Sequence, residues 1–302
     1  MKKSTTIISS KPPYDNELFN ITKKPRSYSD IININEIKNK IEATWKNTDT
    51  PEEFKGLLLQ IFRETLADGS GIIKTRFLDK NNGAATVLEQ AFLMDNIIKL
   101  AHETIVEKLY RAPNPTQGEQ LCIVAVGGYG RGELAPFSDI DLLFLLPYKI
   151  TPHIEQVVEA ILYLLWDMRL KVGHSTRSIE ECMRQAKLDM TIRTAILESR
   201  FICGEISLLS EMNRKFQKQI VAGTALEFVE AKLKESESRH QRLGDSRYVI
   251  EPNIKDGKGG LRDLHKLFWI GKYVYQVNTV EALVMRGILS SQEATLFAKA
   301  QK

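Results

Sequence analysis

The chain contains two short runs of consecutive apolar residues that are predicted to be buried strands. Residues 121–126 read Leu-Cys-Ile-Val-Ala-Val, and residues 140–146 read Ile-Asp-Leu-Leu-Phe-Leu-Leu before Pro147. Apolar runs of this length, bounded by glycine or proline, are typical of strands that are covered on both faces. Residues 169–177 are predicted to form a third strand, so that the three strands make a small mixed sheet.

Elsewhere, apolar residues recur every three or four positions, which is the pattern of amphipathic helices. Thr50 is a suitable N-cap and Pro51 a suitable first residue for one helix, which we expect to end in a loop at 67–71. Trp166 and Leu188 are expected to pack inward. The predicted helices cover residues 34–45, 51–66, 84–110, 151–168, 180–199, 224–243 and 261–277, and another begins near residue 289.

This pattern predicts an α/β (α+β) fold in which helices flank the sheet and a helical domain follows it. We divide the chain into a mostly irregular arm (1–50), a helical support segment (51–115), the core with the sheet (116–205) and a helical domain (206–302). We expect the last domain to be truncated at its C-terminal end. The acidic and basic residues of helix 224–243 are interpreted as a solvated face.

Asp139 and Asp141 are the candidate catalytic residues. Side chains alternate along a strand, so residues two apart lie on the same face. Two neighbouring carboxylates repel each other at neutral pH unless a cation lies between them. Mg²⁺ prefers oxygen ligands and is usually held by one or two carboxylates and substrate phosphates, so the pair predicts a magnesium site. The alternative is two surface aspartates at a strand start.

The residues between the two apolar runs have the composition of a phosphate-binding turn. Gly127 and Gly128 lack Cβ atoms and let backbone N–H groups approach an anion, and a following helix N-terminus would favour negative charge. Ser138 can add a hydroxyl group. We predict that Gly127, Gly128 and Ser138 hold substrate phosphates, and the alternative is a glycine turn without a ligand.

These motifs resemble the DNA polymerase β-like nucleotidyltransferase superfamily. Its signature is an apolar residue, Gly-Gly or Gly-Ser, a spacer and Asp-x-Asp, and residues 126–142 fit it without a gap. Residues 127–143 are more specific than this signature and read Gly-Gly-Tyr-Gly-Arg-Gly-Glu-Leu-x-Pro-x-Ser-Asp-Ile-Asp-Leu-Leu. This stretch is similar to the bifunctional protein-PII uridylyltransferase/uridylyl-removing enzymes of bacterial nitrogen control. The resemblance implies a polymerase β-like sheet with flanking helices.

A second stretch, residues 251–265, carries the same resemblance. It reads Glu-Pro-Asn-Ile-Lys-Asp-Gly-Lys-Gly-Gly-Leu-Arg-Asp-Leu-His and leads from a Lys- and Gly-rich loop into a predicted helix. Lys255, Lys258 and Arg262 could neutralise a triphosphate there. The stretch lacks the Gly-x-x-x-x-Gly-Lys-Ser/Thr pattern of a P-loop, so from the residues alone an ordinary glycine loop is the alternative.

The resemblance implies transfer of UMP from UTP to a tyrosine of the nitrogen-regulatory PII protein, with release of pyrophosphate. The implied substrate-binding residues are Gly127, Gly128, Arg131, Ser138, Lys255, Lys258 and Arg262, and the implied Mg²⁺ ligands are Asp139 and Asp141. Enzymes of this family also carry a His-Asp phosphohydrolase domain that removes UMP, and ACT domains that sense glutamine. No His-Asp doublet occurs in this sequence. We therefore expect the chain to be the transferase portion of a larger protein.

The sequence departs from the superfamily pattern in one place. In many relatives the third strand supplies a third carboxylate, but residues 169–177 contain none. Asp189 or Glu198 could supply it. His174 and Arg177 lie near the expected position, either as structural residues or in contact with the nucleotide. Two alternatives therefore stay open: a nucleotidyltransferase with another acceptor, and an inactive module that regulates by binding.

Composition narrows the functional class only slightly. The net charge of +4, from 42 Lys and Arg against 38 Asp and Glu, is too small to indicate a nucleic-acid partner. Cys122, Cys182 and Cys203 lack zinc-site spacing and are expected to be buried thiols in a reducing compartment. No apolar run reaches the roughly 18 residues of a membrane helix. We therefore expect a cytoplasmic protein with no nucleic-acid and no membrane partner.

Overall fold

The computed structural model describes residues 28–244, 251, 253–277 and 279–301. Residues 1–27, the larger part of the predicted irregular arm, lie outside the described residues, and so does Pro252 of the second motif. In chain order the helices are α1 (Ile34–Lys46), α2 (Pro51–Lys80), α3 (Gly83–Thr104), α4 (Gly127–Gly130), α5 (Pro152–Asp167), α6 (Ile179–Leu188), α7 (Met190–Leu197), α8 (Ile206–Phe216), α9 (Ala225–Arg242), α10 (Leu261–Tyr275), α11 (Val280–Met285) and α12 (Ser291–Gln301). Every predicted helix is present, and α8 and α11 are additional.

One mixed sheet lies between these helices. Its strands are β1 (Cys122–Ala125), β2 (Ile140–Leu146), β3 (Val172–Ser178) and β4 (Arg200–Gly204). The order across the sheet is β3-β2-β1-β4, with β2 parallel to β3 and β1 antiparallel to both of its neighbours. The three predicted strands are confirmed. The fourth, β4, escapes prediction because it is short, begins with an arginine and directly follows a helix.

Each face of the sheet belongs to a different hydrophobic core. Helices α1, α2, α3 and α5 pack with the face that carries Leu142 and Phe144. Helices α6 to α10 pack with the opposite face, which carries Val124, Leu143 and Leu145. Since side chains two apart share a face, Asp141 lies on the second face, toward α6–α10.

The predicted loop at 67–71 is wrong, because α2 continues through it to Lys80. A Cβ atom at Gly69 would come within 2.7 Å of Leu93 Cδ1 on α3. Glycine at this position therefore permits a close contact between two helices instead of ending one of them. The predicted start of α2 is confirmed, since Thr50 Oγ1 accepts a hydrogen bond from the N–H of Glu53 at 3.2 Å.

Two residues expected in the core are exposed. Leu188 is 75% exposed because it is the last residue of α6, where the chain turns into α7. Trp166 is 42% exposed and lies against His174, with ring centroids 5.7 Å apart. Helical periodicity places both residues on apolar stripes, but both lie in the last turn of their helices.

The three cysteines are buried and free, as predicted. Burial raises the pKa of Cys122 and Cys182 to about 12, so both are thiols at neutral pH. In the described part of the chain, no helix combines the length and the apolar character that crossing a membrane requires.

A partly buried polar cluster fastens the turn after β1 to α3 and β4. The hydroxyl of Tyr129 donates to Oδ1 of Asp95 at 2.6 Å. Arg200 donates to both carboxylate oxygens of Asp95, at 2.6 and 3.1 Å, and to the carbonyl oxygen of Tyr129 at 3.0 Å. Because Tyr129 is only 1% exposed, its hydroxyl has to find its partner inside the protein.

We expect Tyr129→Phe to lower the free energy of unfolding by about 1–3 kcal/mol, because Asp95 loses a charge-assisted hydrogen bond. Urea denaturation followed by circular dichroism measures the change. Tyr163→Phe is the control, since Tyr163 is 59% exposed and its loss should change stability by less than about 0.5 kcal/mol. Equal stability of Tyr129→Phe and the unmodified chain would contradict the role assigned to the hydroxyl.

Candidate active site

The two aspartates lie where the loop after α4 enters β2. Asp139 is exposed on the loop, and Asp141 is half-buried in the strand. Two glycines make room for the Asp141 carboxylate. A Cβ atom at Gly173, its partner on β3, would lie 2.5 Å from Oδ1, and one at Gly127 would lie 3.3 Å from Oδ2. Any larger residue at Gly173 would therefore displace the carboxylate.

The electrostatics of the pair are those of a site that attracts a cation. Burial raises the pKa of Asp141, the neighbouring charge of Asp139 raises it further, and Lys255 partly opposes the change. The ionised form of Asp141 is therefore destabilised within the protein. A dication between the two carboxylates would reverse this effect, and hard carboxylate oxygens are suitable ligands for Mg²⁺.

The candidates for a third carboxylate have other partners. Asp189 caps α7, where its Oδ1 accepts hydrogen bonds from the N–H groups of Thr191 and Ile192 at 2.6 and 3.2 Å. Glu198 is buried and accepts hydrogen bonds from Arg131 and from the indole N–H of Trp269. Among the described residues, no group of three or more His, Cys, Asp or Glu side chains is arranged to hold a metal ion. An ion at the pair would take its remaining ligands from substrate phosphates or water, as Mg²⁺ commonly does.

The glycine turn, residues 127–130, places backbone N–H groups beside the Asp141 carboxylate. Gly127 adopts a left-handed conformation with φ of +60°, which glycine tolerates and most residues do not. The N–H groups of Gly127 and Gly128 begin a helical turn, so they have no partner within it. A Cβ atom at Gly130 would lie 2.1 Å from the carbonyl oxygen of Glu198, so this glycine lets the turn pack against the end of α7.

Arg131 joins this turn to the second motif. Its side chain is buried and donates to both Glu198 oxygens at 2.8 and 2.9 Å, and to Glu133 at 2.8 Å. From α10, Trp269 donates to Glu198, and His265 lies 3.6 Å from Glu133. Arg131 thus has internal partners and also lines the cavity described next.

The Lys- and Gly-rich loop of the second motif is a tight turn. Asn253 Oδ1 accepts hydrogen bonds from the N–H groups of Lys255 and Asp256 at 3.0 and 2.8 Å. A Cβ atom at Gly257 or Gly260 would come within 2.6 Å of a backbone carbonyl oxygen, so the glycines serve the fold of the turn. Asp263 fastens the loop by accepting from the N–H of Gly259 at 2.8 Å and from Arg239 at 2.7 Å. Asp263 had no role assigned from the sequence.

A cavity of about 580 Å³ brings the two motifs together. Of the predicted site residues, its lining contains Gly127, Gly128, Arg131, Asp141 and Arg262. Lys255 lies close enough for its charge to lower the pKa of Asp141.

Ser138 is exposed, like Asp139, on the loop before β2, and Lys258 lines a smaller cavity of about 270 Å³ beside α9. His174 and Arg177 also line the larger cavity.

Sequence reasoning missed the contribution of α9 to this cavity. Lys232, Glu235 and Arg239 line it, as does Trp269 of α10. The interpretation of the charged residues of α9 as a solvated face is wrong for Lys232, which is 3% exposed. The sequence did contain a signal for the burial of Lys232, though not for its place in the cavity, since Phe228, Lys232 and Ser236 are four residues apart and form one buried face.

Comparisons with known proteins show which families the chain resembles. Residues 116–202 match the model of the nucleotidyltransferase domain, and residues 227–302 match the model of the GlnD PII-uridylyltransferase family. A bifunctional uridylyltransferase/uridylyl-removing enzyme of Azospirillum brasilense is 51% identical over 90% of this chain, and one of Rhodospirillum rubrum is 51% identical over 92%. The chain spans 29% and 30% of the length of these relatives. The resemblance and the nucleotidyltransferase domain predicted from the sequence are confirmed.

The raised pKa of Asp141 leads to a test of the carboxylate pair. Because the folded-state pKa lies above the unfolded one, ionised Asp141 destabilises the fold at neutral pH, and this penalty disappears as the pH falls below the unfolded pKa. We expect Asp141→Asn to melt at a higher temperature than the unmodified chain at pH 7.5 without Mg²⁺. The difference should vanish toward pH 4, and added Mg²⁺ should stabilise only the unmodified chain.

Asp79→Asn on the exposed side of α2 is the matched control, and it should show none of these differences. Differential scanning fluorimetry across pH, with and without Mg²⁺, measures all three proteins. If Mg²⁺ stabilised Asp141→Asn as strongly as the unmodified chain, the metal assignment would be wrong.

Proposed function

Since the chain is a homologue of part of the bifunctional uridylyltransferase/uridylyl-removing enzymes and contains a nucleotidyltransferase domain, we propose that it transfers UMP from UTP to a tyrosine hydroxyl of a PII signalling protein. Pyrophosphate is the second product. One observation carries the proposal: Asp141 of the first motif and Arg262 of the second, far apart in the sequence, line one cavity. A cavity that joins the Asp141 carboxylate, backbone donors and cations suits a nucleoside triphosphate.

The reaction forms a bond between the phenolic oxygen of the acceptor and the α-phosphorus of UTP. The bond from the α-phosphorus to the bridging oxygen breaks, its electron pair leaves with pyrophosphate, and the phenolic proton passes to water. Mg²⁺ bound to Asp139 and Asp141 would polarise the α-phosphate and stabilise the leaving group. The N–H groups of Gly127 and Gly128 would orient the phosphates, because they have no partner within the helical turn and both residues line the cavity.

The cations at the rim of the cavity would compensate the charge that develops on the leaving group. Lys255 already acts electrostatically on Asp141, and Arg262, whose side chain is 35% exposed, lies 3.6 Å from Asp256. Both can move toward a phosphate without breaking a buried ion pair. Removal of UMP from PII and a response to glutamine are proposed only for a longer protein that carries further domains.

We expect Asp139→Ala and Asp141→Ala to reduce UMP transfer by about 10²-fold or more, because either change removes a ligand of the catalytic metal. The measurement is the intact mass of a purified PII protein after incubation with the chain, Mg²⁺ and each of the four NTPs in turn. A mass increase of one UMP per PII subunit, with UTP only, is the expected result for the unmodified chain.

Asp167→Ala is the matched control, since Asp167 is an exposed aspartate at the end of α5, outside the lining of the cavity. Transfer by this variant should equal that of the unmodified chain. Full transfer by Asp139→Ala would contradict the metal assignment. Transfer of AMP, or of any nucleotide other than UMP, would contradict the proposed substrate.

A further inference from the structure

Helix α9 places a buried cation in the wall of the active-site cavity. Lys232 is 3% exposed, yet it lines the cavity together with Trp269. Its ammonium group lies 4.9 Å from the centre of the Trp269 ring and 5.8 Å from that of Phe228. A lysine this deeply buried is rare in proteins unless a specific partner holds its charge.

The ion pair between Lys232 and its carboxylate partner, Glu235, is easily broken. Glu235 Oε2 lies 2.7 Å from the ammonium nitrogen, but the Glu235 side chain is 49% exposed and lies one helical turn away on α9. Pairs of this kind with an exposed member contribute little to stability. Glu235 also lines the cavity, so an incoming anion meets the carboxylate and the ammonium together.

Trp269 holds Lys232 in a fixed position relative to the glycine turn. One face of its ring lies near the Lys232 ammonium, and its indole N–H donates to Glu198. Glu198 in turn binds Arg131, the residue that follows α4. The cation on α9 is therefore connected by rigid groups to the turn that carries Gly127 and Gly128.

Two of the other cations that line the cavity, Arg131 and Arg239, differ from Lys232 in their partners. Arg131 is held by Glu198 and Glu133, and Arg239 by Asp263 and the carbonyl oxygen of Asp256. These carboxylates are all buried or mostly buried, so neither arginine can turn to a ligand without leaving a charge unpaired. Lys232 can turn to a ligand by giving up only its ion pair with Glu235, whose side chain is half-exposed.

We propose that Lys232 binds the β- and γ-phosphates of the nucleotide, and later the pyrophosphate product, after these displace Glu235. The inference rests on the proposed function, and it adds a subsite on the side of the cavity that α9 forms. The ammonium group suits this ligand because it is a compact charge with three donors, and a polyphosphate carries more negative charge than one carboxylate. The subsite is thus specific for polyphosphate and not for the nucleobase.

Direct binding of Mg²⁺–pyrophosphate and Mg²⁺–UTP to the full chain, measured by isothermal titration calorimetry, tests the proposal. Lys232→Met keeps the apolar stem and removes the charge, so we expect about ten- to hundred-fold weaker binding of both ligands. Lys232→Arg keeps a cation and should bind more tightly than Lys232→Met. Glu235→Gln removes the competing carboxylate and should bind pyrophosphate more tightly than the unmodified chain.

Lys234→Met is the matched control, because Lys234 is exposed on the same helix, outside the lining of the cavity. It should bind both ligands with unchanged affinity. Thermal melts show whether each variant is folded. If folded Lys232→Met bound pyrophosphate as tightly as the unmodified chain, or Lys234→Met lost as much affinity, then Lys232 would be only a structural residue and the proposal would fail.

The same experiments separate this proposal from the proposed function. Lys232-dependent binding of pyrophosphate by a chain that never modifies PII would support the subsite and contradict the acceptor. UMP transfer to PII with an unchanged KM for UTP in Lys232→Met would support the function and contradict the subsite. A chain that binds neither ligand would overturn both.

Discussion

The burial of Asp141 beside a second carboxylate, Asp139, is the constraint to which the rest of the site is fitted. Burial raises the pKa of Asp141, and the neighbouring charge of Asp139 raises it further. The fold keeps the Asp141 carboxylate in place by flanking it with Gly127 and Gly173, where any Cβ atom would crowd it. Positive charge then approaches from a distant part of the chain, through Lys255. From this arrangement of two neighbouring carboxylates we propose that a cation binds here together with its accompanying anion.

Two hydrogen-bond networks connect the two sequence motifs of the site to α9 and α10. One runs from Arg131 through Glu198 to Trp269 and links the glycine turn to α10. The other centres on Asp263, which links the second motif to α9. Both networks are made of charged groups with little exposure, so breaking either would leave a charge without a partner. Helices α9 and α10, which follow the sheet, are therefore part of the candidate active site.

The sequence predicted the parts of the molecule in which local pattern and final structure agree. Strand β2 begins and ends as predicted because its apolar run is bounded by a loop and a proline. Gly69 misled the prediction of α2, since a glycine that ends a helix and a glycine that admits Leu93 look alike in sequence. The place of Lys232 in the cavity was out of reach for a different reason. That place depends on the contact between α9 and Trp269, a residue that is distant from Lys232 in the sequence. Helical periodicity shows only which residues of one helix share a face.

The burial of Tyr129 bears on whether the chain could modify one of its own tyrosines. It is the tyrosine of the glycine turn, only one residue beyond the backbone groups that we expect to hold the nucleotide. Burial raises the pKa of its hydroxyl well above the usual value, and the hydroxyl points to Asp95 on α3. The tyrosine acceptor that we propose would require the chain to discriminate against its own tyrosines, and Tyr129 is kept protonated and hydrogen-bonded. Under the proposed function, the fold would thus keep this tyrosine from being modified.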